Sequence, residues 1–176
     1  VLGSLSKRIE GIKGMVNAKC LGFLNRATIL QNGESVDYKT NMWQTSVGLN
    51  SNVHDWLEID YQLGYNINSL SFSKAKTSTK LLTQALNISF LPIEDLTLTV
   101  MAEHYANYFS SLPSKQTIFS DIRCVYKYHK VDFVGSLTNV FNQKYYNNTS
   151  YTDLSSSYRK FSLRGRTFLL SVVTYF

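Results

Sequence analysis

The chain has 176 residues, a length that suits one domain with a sizeable core and is short for two. Hydrophobic residues make up 44% and charged residues 17%, yet no apolar run reaches the ~18 residues that a membrane-spanning helix needs, which excludes a helical membrane protein. The net charge of +6 would fit nucleic-acid binding, but the basic residues form no stripe interleaved with aromatics, so no nucleic-acid partner is expected.

Alternation of apolar and polar residues predicts an all-β chain of about eight antiparallel strands, because side chains point to opposite faces of a strand in turn. In chain order, the predicted strands lie at residues 12–24, 43–50, 56–68, 82–90, 96–103, 118–128, 132–138 and 166–176. The third is the clearest. There Leu57, Ile59 and Tyr61 alternate strictly with Glu58, Asp60 and Gln62, and the period of two continues to Asn68.

Charged side chains keep to one face of these strands, opposite the apolar residues. The set predicted to face a lumen is Lys13, Lys19, Glu58, Asp60, Glu103, Asp121, Arg123 and Lys127. Glu58 and Asp60 could suggest acid–base chemistry or a calcium site, but pairing with Arg123 or Lys127 across the wall explains them more simply.

The connections between the predicted strands alternate in length. Tight turns are expected near residues 52–55, 92–95 and 128–131, and looser loops at 31–37, 73–79, 110–115 and 146–157. Outer-membrane β-barrels have short periplasmic turns and long outer loops. Soluble β-sandwiches also alternate, but their strands average ~5–6 residues. Aromatic residues near the strand ends are typical of interfacial girdles: Trp43, Trp56, Tyr65, Tyr105, Tyr108, Tyr126, Tyr128 and Tyr145.

The C-terminus carries a pattern of its own. Apolar residues recede from Phe176 in steps of two, with Thr174 as the weak position, through Val172, Leu170 and Phe168. This resembles the C-terminal assembly signal that the barrel-assembly machinery of outer membranes reads. We therefore expect Phe176 to mark the end of a barrel. No signal peptide opens the chain, so either processing has removed one or the chain is a fragment, and Val1 is not expected to mark the beginning of the barrel.

Upstream, Leu137-Thr138-Asn139-Val140-Phe141-Asn142-Gln143-Lys144-Tyr145-Tyr146 resembles the closing segment of TonB-dependent outer-membrane receptors, and Gly165-Arg166-Thr167-Phe168 resembles the ending of that family. Residues 103–107 and 151–156 are similar to the SusC-like subgroup, which carries a carboxypeptidase-regulatory-like domain.

The resemblance implies a bacterial outer-membrane location and a barrel of ~22 strands. It also implies an N-terminal plug and energised import through TonB. Residues 1–176 would be a single stretch of the barrel wall without the plug. The implied partners are outer-membrane lipids and lipopolysaccharide, the barrel-assembly machinery, the remaining barrel and plug, TonB and a surface lipoprotein.

A basic group, Arg159, Lys160, Arg164 and Arg166, falls in the last predicted outer loop and at the start of the final strand. Arginine suits charge-assisted contacts to phosphate, so lipopolysaccharide is one expected ligand. A solvated loop or a contact to a partner lipoprotein are the alternatives.

Two other functions fit the length of the chain. A self-contained eight-stranded barrel with a structural or adhesive role predicts hydrogen bonding between the first and last strands. A barrel enzyme predicts His104 and Cys124 opposite one another on neighbouring strands with a third group to orient the histidine. We see no such third group, and His54, His104 and His129 are too dispersed for a metal site, so neither an enzyme nor a cofactor is expected.

Overall fold

The computed structural model describes residues 2–72, 75–109, 115–151 and 156–175. These residues form β-strands, one short 3-10 turn at Glu10–Ile12 and no α-helix. The strands are β1 (Leu2–Ile9), β2 (Gly14–Gln31), β3 (Glu34–His54), β4 (Leu57–Phe72), β5 (Ala75–Ile93), β6 (Leu96–Phe109), β7 (Lys115–Tyr128), β8 (Val131–Thr138), β9 (Tyr145–Tyr151), β10 (Ser156–Ser162) and β11 (Thr167–Thr174).

Nine of these strands form one antiparallel sheet in the order β1-β2-β3-β4-β5-β6-β7-β8-β11, and β9 and β10 form a separate hairpin between β8 and β11. The prediction of an all-β, up-and-down antiparallel sheet is confirmed. The strand number differs because β1, β9 and β10 show no clear alternation in sequence. Over the described ranges the sheet is open, with β1 paired to β2 and β11 paired to β8.

The pairing register gives the sheet two chemically distinct faces, since directly paired residues point the same way. Ile59 lies opposite Ile88, and the same row continues through Val100, Ile122 and Leu137 to Phe168. We call this side the apolar face. The next row carries Asp60 opposite Asn50 and Asn87, and we call that side the polar face. The face assignments that alternation predicts for Leu57 to Asn68 agree with this register.

Successive strands are staggered along the sheet. The tight hairpins end at the pairs Ile9–Gly14, His54–Leu57, Ile93–Leu96 and Tyr128–Val131, at what we call the turn end of the sheet. When the pairing register is followed from one tight hairpin to the next, each closing pair lies two residues farther towards the turn end than the previous pair. Closure of a sheet into a barrel requires a stagger of this kind.

The opposite end, which we call the loop end, differs from its prediction. Residues 34–37 and 75–79, expected in loops, belong to β3 and β5. Asn32 and Gly33 alone connect β2 to β3, with φ of 51° and 82°. Asn-Gly supplies the two positive φ angles of a type I′ hairpin turn, so a two-residue turn stands where a longer loop was predicted. Most of the third predicted loop, residues 110–114, and residues 152–155 of the fourth lie outside the described residues.

Few side chains are enclosed. Among the described hydrophobic residues, Tyr38 and Ala106 are buried, whereas Phe168, Leu170 and Val172 on the apolar face are 68%, 66% and 56% exposed. A sheet with one continuous apolar face cannot be stable in water unless something covers that face.

Candidate functional site

The polar face gathers most of the charged residues that the sequence singles out. Cross-strand pairing places seven of them on this face: Lys19, Glu58, Asp60, Glu103, Asp121, Arg123 and Lys127. Lys13 instead occupies the turn before β2, with φ of 45°, and its Nζ lies 3.7 Å from Asp55 in an exposed ion pair. That the polar face lines a lumen stays a prediction.

The prediction that Glu58 and Asp60 pair with Arg123 or Lys127 is wrong. Glu58 and Arg123 share a register row through Ser89 and Thr99, which separates them by three strand spacings, or ~14 Å. In the part of the chain that the structure describes, the ion pair between Lys13 and Asp55 is the one recorded.

Uncharged side chains donate hydrogen bonds to three of the carboxylates instead. Asp60 accepts a hydrogen bond from Asn50 Nδ2 at 3.3 Å. Glu103 accepts one from the Tyr105 hydroxyl at 2.9 Å. At the turn end, the Tyr175 hydroxyl donates to Asp132 at 3.0 Å, and this hydrogen bond raises the pKa of Tyr175 because it stabilises the neutral phenol. These three carboxylates therefore accept hydrogen bonds from uncharged side chains.

An aromatic cluster attaches the β9–β10 hairpin to the polar face near the loop end. Tyr105 of β6 and Phe119 of β7 lie on neighbouring strands with their ring centroids 6.1 Å apart. The ring centroid of Tyr146 on β9 lies 6.1 Å from that of Tyr105 and 5.9 Å from that of Phe119. Phe161 of β10 stacks on Tyr146 at 6.3 Å. Sequence reasoning missed this cluster. Its signal was an aromatic residue at a polar-face position in each of β6 and β7, which indicates that another element covers that spot.

Below the hairpin lies a cleft of about 410 Å³ on the same face. Its lining combines two carboxylates with an arginine and apolar surface, and includes Glu103, Asp121, Arg164, Phe119 and Leu163. The cleft is open, so it could accept part of a larger polar solute and could not enclose a small one.

The connection from β8 to β9 depends on Asn139, which has a φ of 54°. Its side-chain oxygen accepts from the Gln143 N–H at 2.8 Å, and its Nδ2 donates to the carbonyls of Gln143 at 2.9 Å and Arg164 at 2.8 Å. Its backbone N–H donates to Asp121 Oδ1 at 2.8 Å. Asparagine tolerates the left-handed conformation and can serve backbone groups from it. Asp121, predicted as a lumen charge, thus also anchors this turn.

Arg166 and Asn142 complete the junction. Asn142, with φ of 53°, accepts the Arg166 N–H through Oδ1 at 3.1 Å. The Arg166 guanidinium donates to the Val140 carbonyl from Nε and Nη2 at 3.0 and 2.6 Å. We call Asn139, Asn142 and Arg166 the junction triad. All three belong to the two segments that resemble the TonB-dependent receptors.

The four residues of the predicted basic group in the last loop lie in two different segments of the chain. Arg159 and Lys160 lie on β10, whereas Arg164 and Arg166 lie in the connection to β11. Lys160 Nζ stands 3.9 Å above the centroid of the Tyr145 ring, and Arg166 is engaged with Val140. Lipopolysaccharide contact by the group stays a prediction.

The predicted assembly signal lies on an edge strand. Phe168, Leu170 and Val172 of β11 share the apolar face and are exposed. Phe176 lies outside the described residues.

The arrangement expected of a barrel enzyme is not present. His104 and Cys124 share the apolar face, but His104 pairs with Gln84 and Ile118, whereas Cys124 pairs with Leu98. Ile118 and Cys124 are six residue steps apart on β7, or ~20 Å along the strand, so the predicted opposition of His104 and Cys124 is wrong.

Most of the predicted girdle residues lie on the apolar face at two levels. Trp43, Tyr65 and Tyr108 lie towards the loop end, and Tyr126 and Tyr128 lie at the turn end. Trp56 occupies a tight turn, where its ring stacks on His54 at 5.2 Å. Tyr105 is on the polar face and Tyr145 begins β9 of the hairpin, so these two do not belong to the apolar-face group.

No family model, no curated protein and no solved structure matches the chain. Over the described residues, no helix is long and apolar enough to cross a membrane. The same residues contain no group of three or more His, Cys, Asp and Glu side chains that could hold a metal ion.

Proposed function

We propose that this chain forms part of the barrel wall of a TonB-dependent receptor in a bacterial outer membrane, which imports a nutrient when the receptor is complete. The observation that carries the proposal is the staggered nine-stranded sheet with one apolar and one polar face. The wall itself does no chemistry. It separates lipid from a polar interior that the plug and the ligand share.

The stagger fits a barrel quantitatively. Two residues per hairpin is one residue per strand, or ~3.3 Å along a strand for each ~4.8 Å between strands. The corresponding tilt is ~35°, within the range found in closed barrels. A flat sandwich sheet has no need of a stagger that repeats with the same sign at every turn.

The apolar face has a suitable height for a membrane. From Leu57 at the turn end of β4 to Tyr65 there are eight residue steps. At ~3.3 Å per step and a tilt of ~35°, these steps rise ~22 Å, close to the ~25 Å apolar band of outer-membrane barrels. The apolar side chains of this face would then be covered by acyl chains.

A larger barrel explains the polar face better than a closed eight-stranded one. The small barrel requires the first and last strands to pair, and over the described ranges β1 pairs with β2 and β11 with β8. Its interior would also be filled with packed side chains. Here Glu58, Arg123 and Lys127 are exposed on the polar face, as expected for side chains that meet water or a plug.

The junction triad supports the receptor family in particular. The residues that carry the resemblance are the ones whose side chains build the turn after β8, so the motif has a structural reason to be present. TonB-dependent import remains the proposed activity of the complete receptor.

The test starts from the native polypeptide with an affinity tag at its gene. We expect a species several times larger than 20.1 kDa in the outer-membrane fraction, with the change in gel mobility on heating that folded barrels show. Uptake of its nutrient should stop when TonB is depleted. A heat-modifiable species near 20 kDa would favour the small barrel, and a species in the soluble fraction would refute both.

A further inference from the structure

A second basic group, separate from residues 159–166, lies at the loop end of the apolar face. Arg26 of β2 is directly paired with Lys39 of β3, and the same row continues through Ser71 of β4 to Lys76 of β5. Lys80 lies four residues along β5 on the same face. We call Arg26, Lys39, Lys76 and Lys80 the basic row. The four residues are distant in the sequence, and only the pairing register brings them together.

The group is electrostatically unfavourable as it stands. Like charges directly opposite one another on a sheet are destabilising. The nearest acid on these strands, Asp37, accepts the Thr28 hydroxyl at 2.9 Å, and the ion pair recorded among the described residues lies elsewhere, at Lys13. A groove of about 510 Å³ lies at this point, lined by Arg26, Lys39, Ser71 and Asp37 among others. Asp37 supplies one carboxylate against the four cations of the basic row, so the net positive charge at this open groove favours a further anion.

The height of the basic row indicates which anion. With a shift of one residue per strand, Trp43 and Tyr65 lie at the upper margin of the apolar band. Arg26, Lys39 and Lys80 lie about two to four residues higher, or ~5–11 Å, and Lys76 slightly above them. The basic row therefore lies directly above the apolar band and the level of Trp43 and Tyr65. The side chain of Leu24, which lies below Arg26 on the same strand, is exposed.

We propose that the basic row binds the phosphate groups of lipopolysaccharide, whose acyl chains cover the apolar face beneath. The inference rests on the proposed outer-membrane location. The phosphate esters lie in the groove between Arg26 and Lys39, with Lys80 and Lys76 as further donors. A phosphorylated lipid suits the site better than free phosphate, because the apolar band continues directly below the cations and can hold the acyl chains of the same molecule.

The test uses the native full-length protein purified from outer membranes, and measures lipopolysaccharide bound per protein molecule. The variant carries Arg26→Gln, Lys39→Gln and Lys80→Gln. The matched control removes three cations from the polar face with Lys19→Gln, Arg123→Gln and Lys127→Gln. We expect the first variant to bind added lipopolysaccharide at least roughly tenfold more weakly, since each lost cation weakens attraction to an anionic lipid surface, and the control to bind as the unchanged protein does.

Three further arms decide the outcome. Lipopolysaccharide stripped enzymatically of its lipid phosphates should bind the unchanged protein as weakly as the variant binds the intact lipid, and millimolar inorganic phosphate should not displace the lipid. Equal binding by both variants, or displacement by inorganic phosphate alone, overturns the inference while outer-membrane localisation leaves the proposed function standing. A protein absent from the outer membrane overturns both. If the Gln variant does not assemble, Arg26→Lys with Lys39→Arg keeps the charges and should retain binding, whereas Lys80→Gln alone should weaken it.

Discussion

The guanidinium group of Arg166 donates two hydrogen bonds to one carbonyl oxygen, that of Val140, from Nε at 3.0 Å and Nη2 at 2.6 Å. The contact joins the start of the last strand to the residue that follows the turn at Asn139. Because β9 and β10 are inserted between these two points, the pairing of β8 with β11 depends on how well the insertion is closed at its base.

Replacement of Arg166 by Lys should weaken this closure although it keeps the charge, because lysine has no planar fork to donate twice. We expect a loss of about 1 kcal/mol, seen as a lower unfolding midpoint of the purified protein in detergent. Arg159→Lys on the hairpin is the matched control and should leave the midpoint unchanged. Equal midpoints for both variants would show that the Val140 contact contributes nothing.

Asn139 combines a left-handed backbone with three side-chain hydrogen bonds, and two substitutions separate these contributions. Asn139→Gly removes the side-chain hydrogen bonds but still adopts the left-handed backbone conformation at no steric cost. Asn139→Ala removes the same hydrogen bonds and adds the steric cost of a Cβ at positive φ. We expect Ala to destabilise by roughly 1–2 kcal/mol more than Gly. Protease cleavage after residue 139, followed by mass spectrometry, measures the opening of the turn. A glycine variant that is cleaved faster than the alanine variant would contradict this account.

Gly22 and Trp43 are paired across β2 and β3 on the apolar face, and a Cβ added at Gly22 would meet the indole ring at 2.6 Å. Gly22→Ala should therefore displace the Trp43 ring and shift the tryptophan emission. Gly3→Ala, where a Cβ meets nothing within 4 Å, should leave the spectrum as it is. The result fails the prediction if the two variants give the same spectrum. Since Trp56 also emits, the comparison is made in a Trp56→Phe background.

Single cysteines along β4 should report the two faces, in a background in which Cys20 and Cys124 are replaced by alanine. We expect Asp60→Cys and Gln62→Cys to react with a charged, water-soluble maleimide, and Ile59→Cys and Leu63→Cys to remain unlabelled in native membranes because lipid covers them. Uniform labelling of all four would place water on both sides of the sheet. Labelling in the unfolded protein serves as the control for reactivity.

The apolar-face residues of β11 should matter for assembly, and their polar-face neighbour Leu169 should not. Leu170→Ser with Val172→Ser removes two apolar side chains from the face that bears the proposed signal, and Leu169→Ser changes a residue of the other face that is 60% exposed. We expect the double variant to fall several-fold in the outer-membrane fraction, with Leu169→Ser near the unchanged level. An equal loss of Leu169→Ser from the outer-membrane fraction would mean that assembly depends on the total hydrophobicity of β11 and not on its apolar face.

Strand faces were predictable from the sequence where apolar and polar residues alternate without interruption, as on β4 from Leu57 to Asn68. Each residue's direction there follows from local geometry alone. The Asn32-Gly33 turn was also within reach, because it depends on two adjacent residues. The aromatic contact between Phe119 and Tyr146 and the row from Arg26 to Lys76 were not, since both depend on which strands pair and in which register, and register is a property of the whole sheet.

The strands differ greatly in length, with 18 and 21 residues in β2 and β3 but 8 in each of β8 and β11. At a tilt of ~35°, β2 and β3 stand ~20–25 Å above the apolar band, whereas β8 and β11 end close to its upper margin. In the proposed barrel, the wall is therefore taller at β2 and β3 than at β8 and β11, and the β9–β10 hairpin lies beside the shorter strands. In the complete receptor, we expect a bulky solute to enter over the shorter strands β8 and β11. It should contact the β9–β10 hairpin first and the longer strands β2 and β3 afterwards.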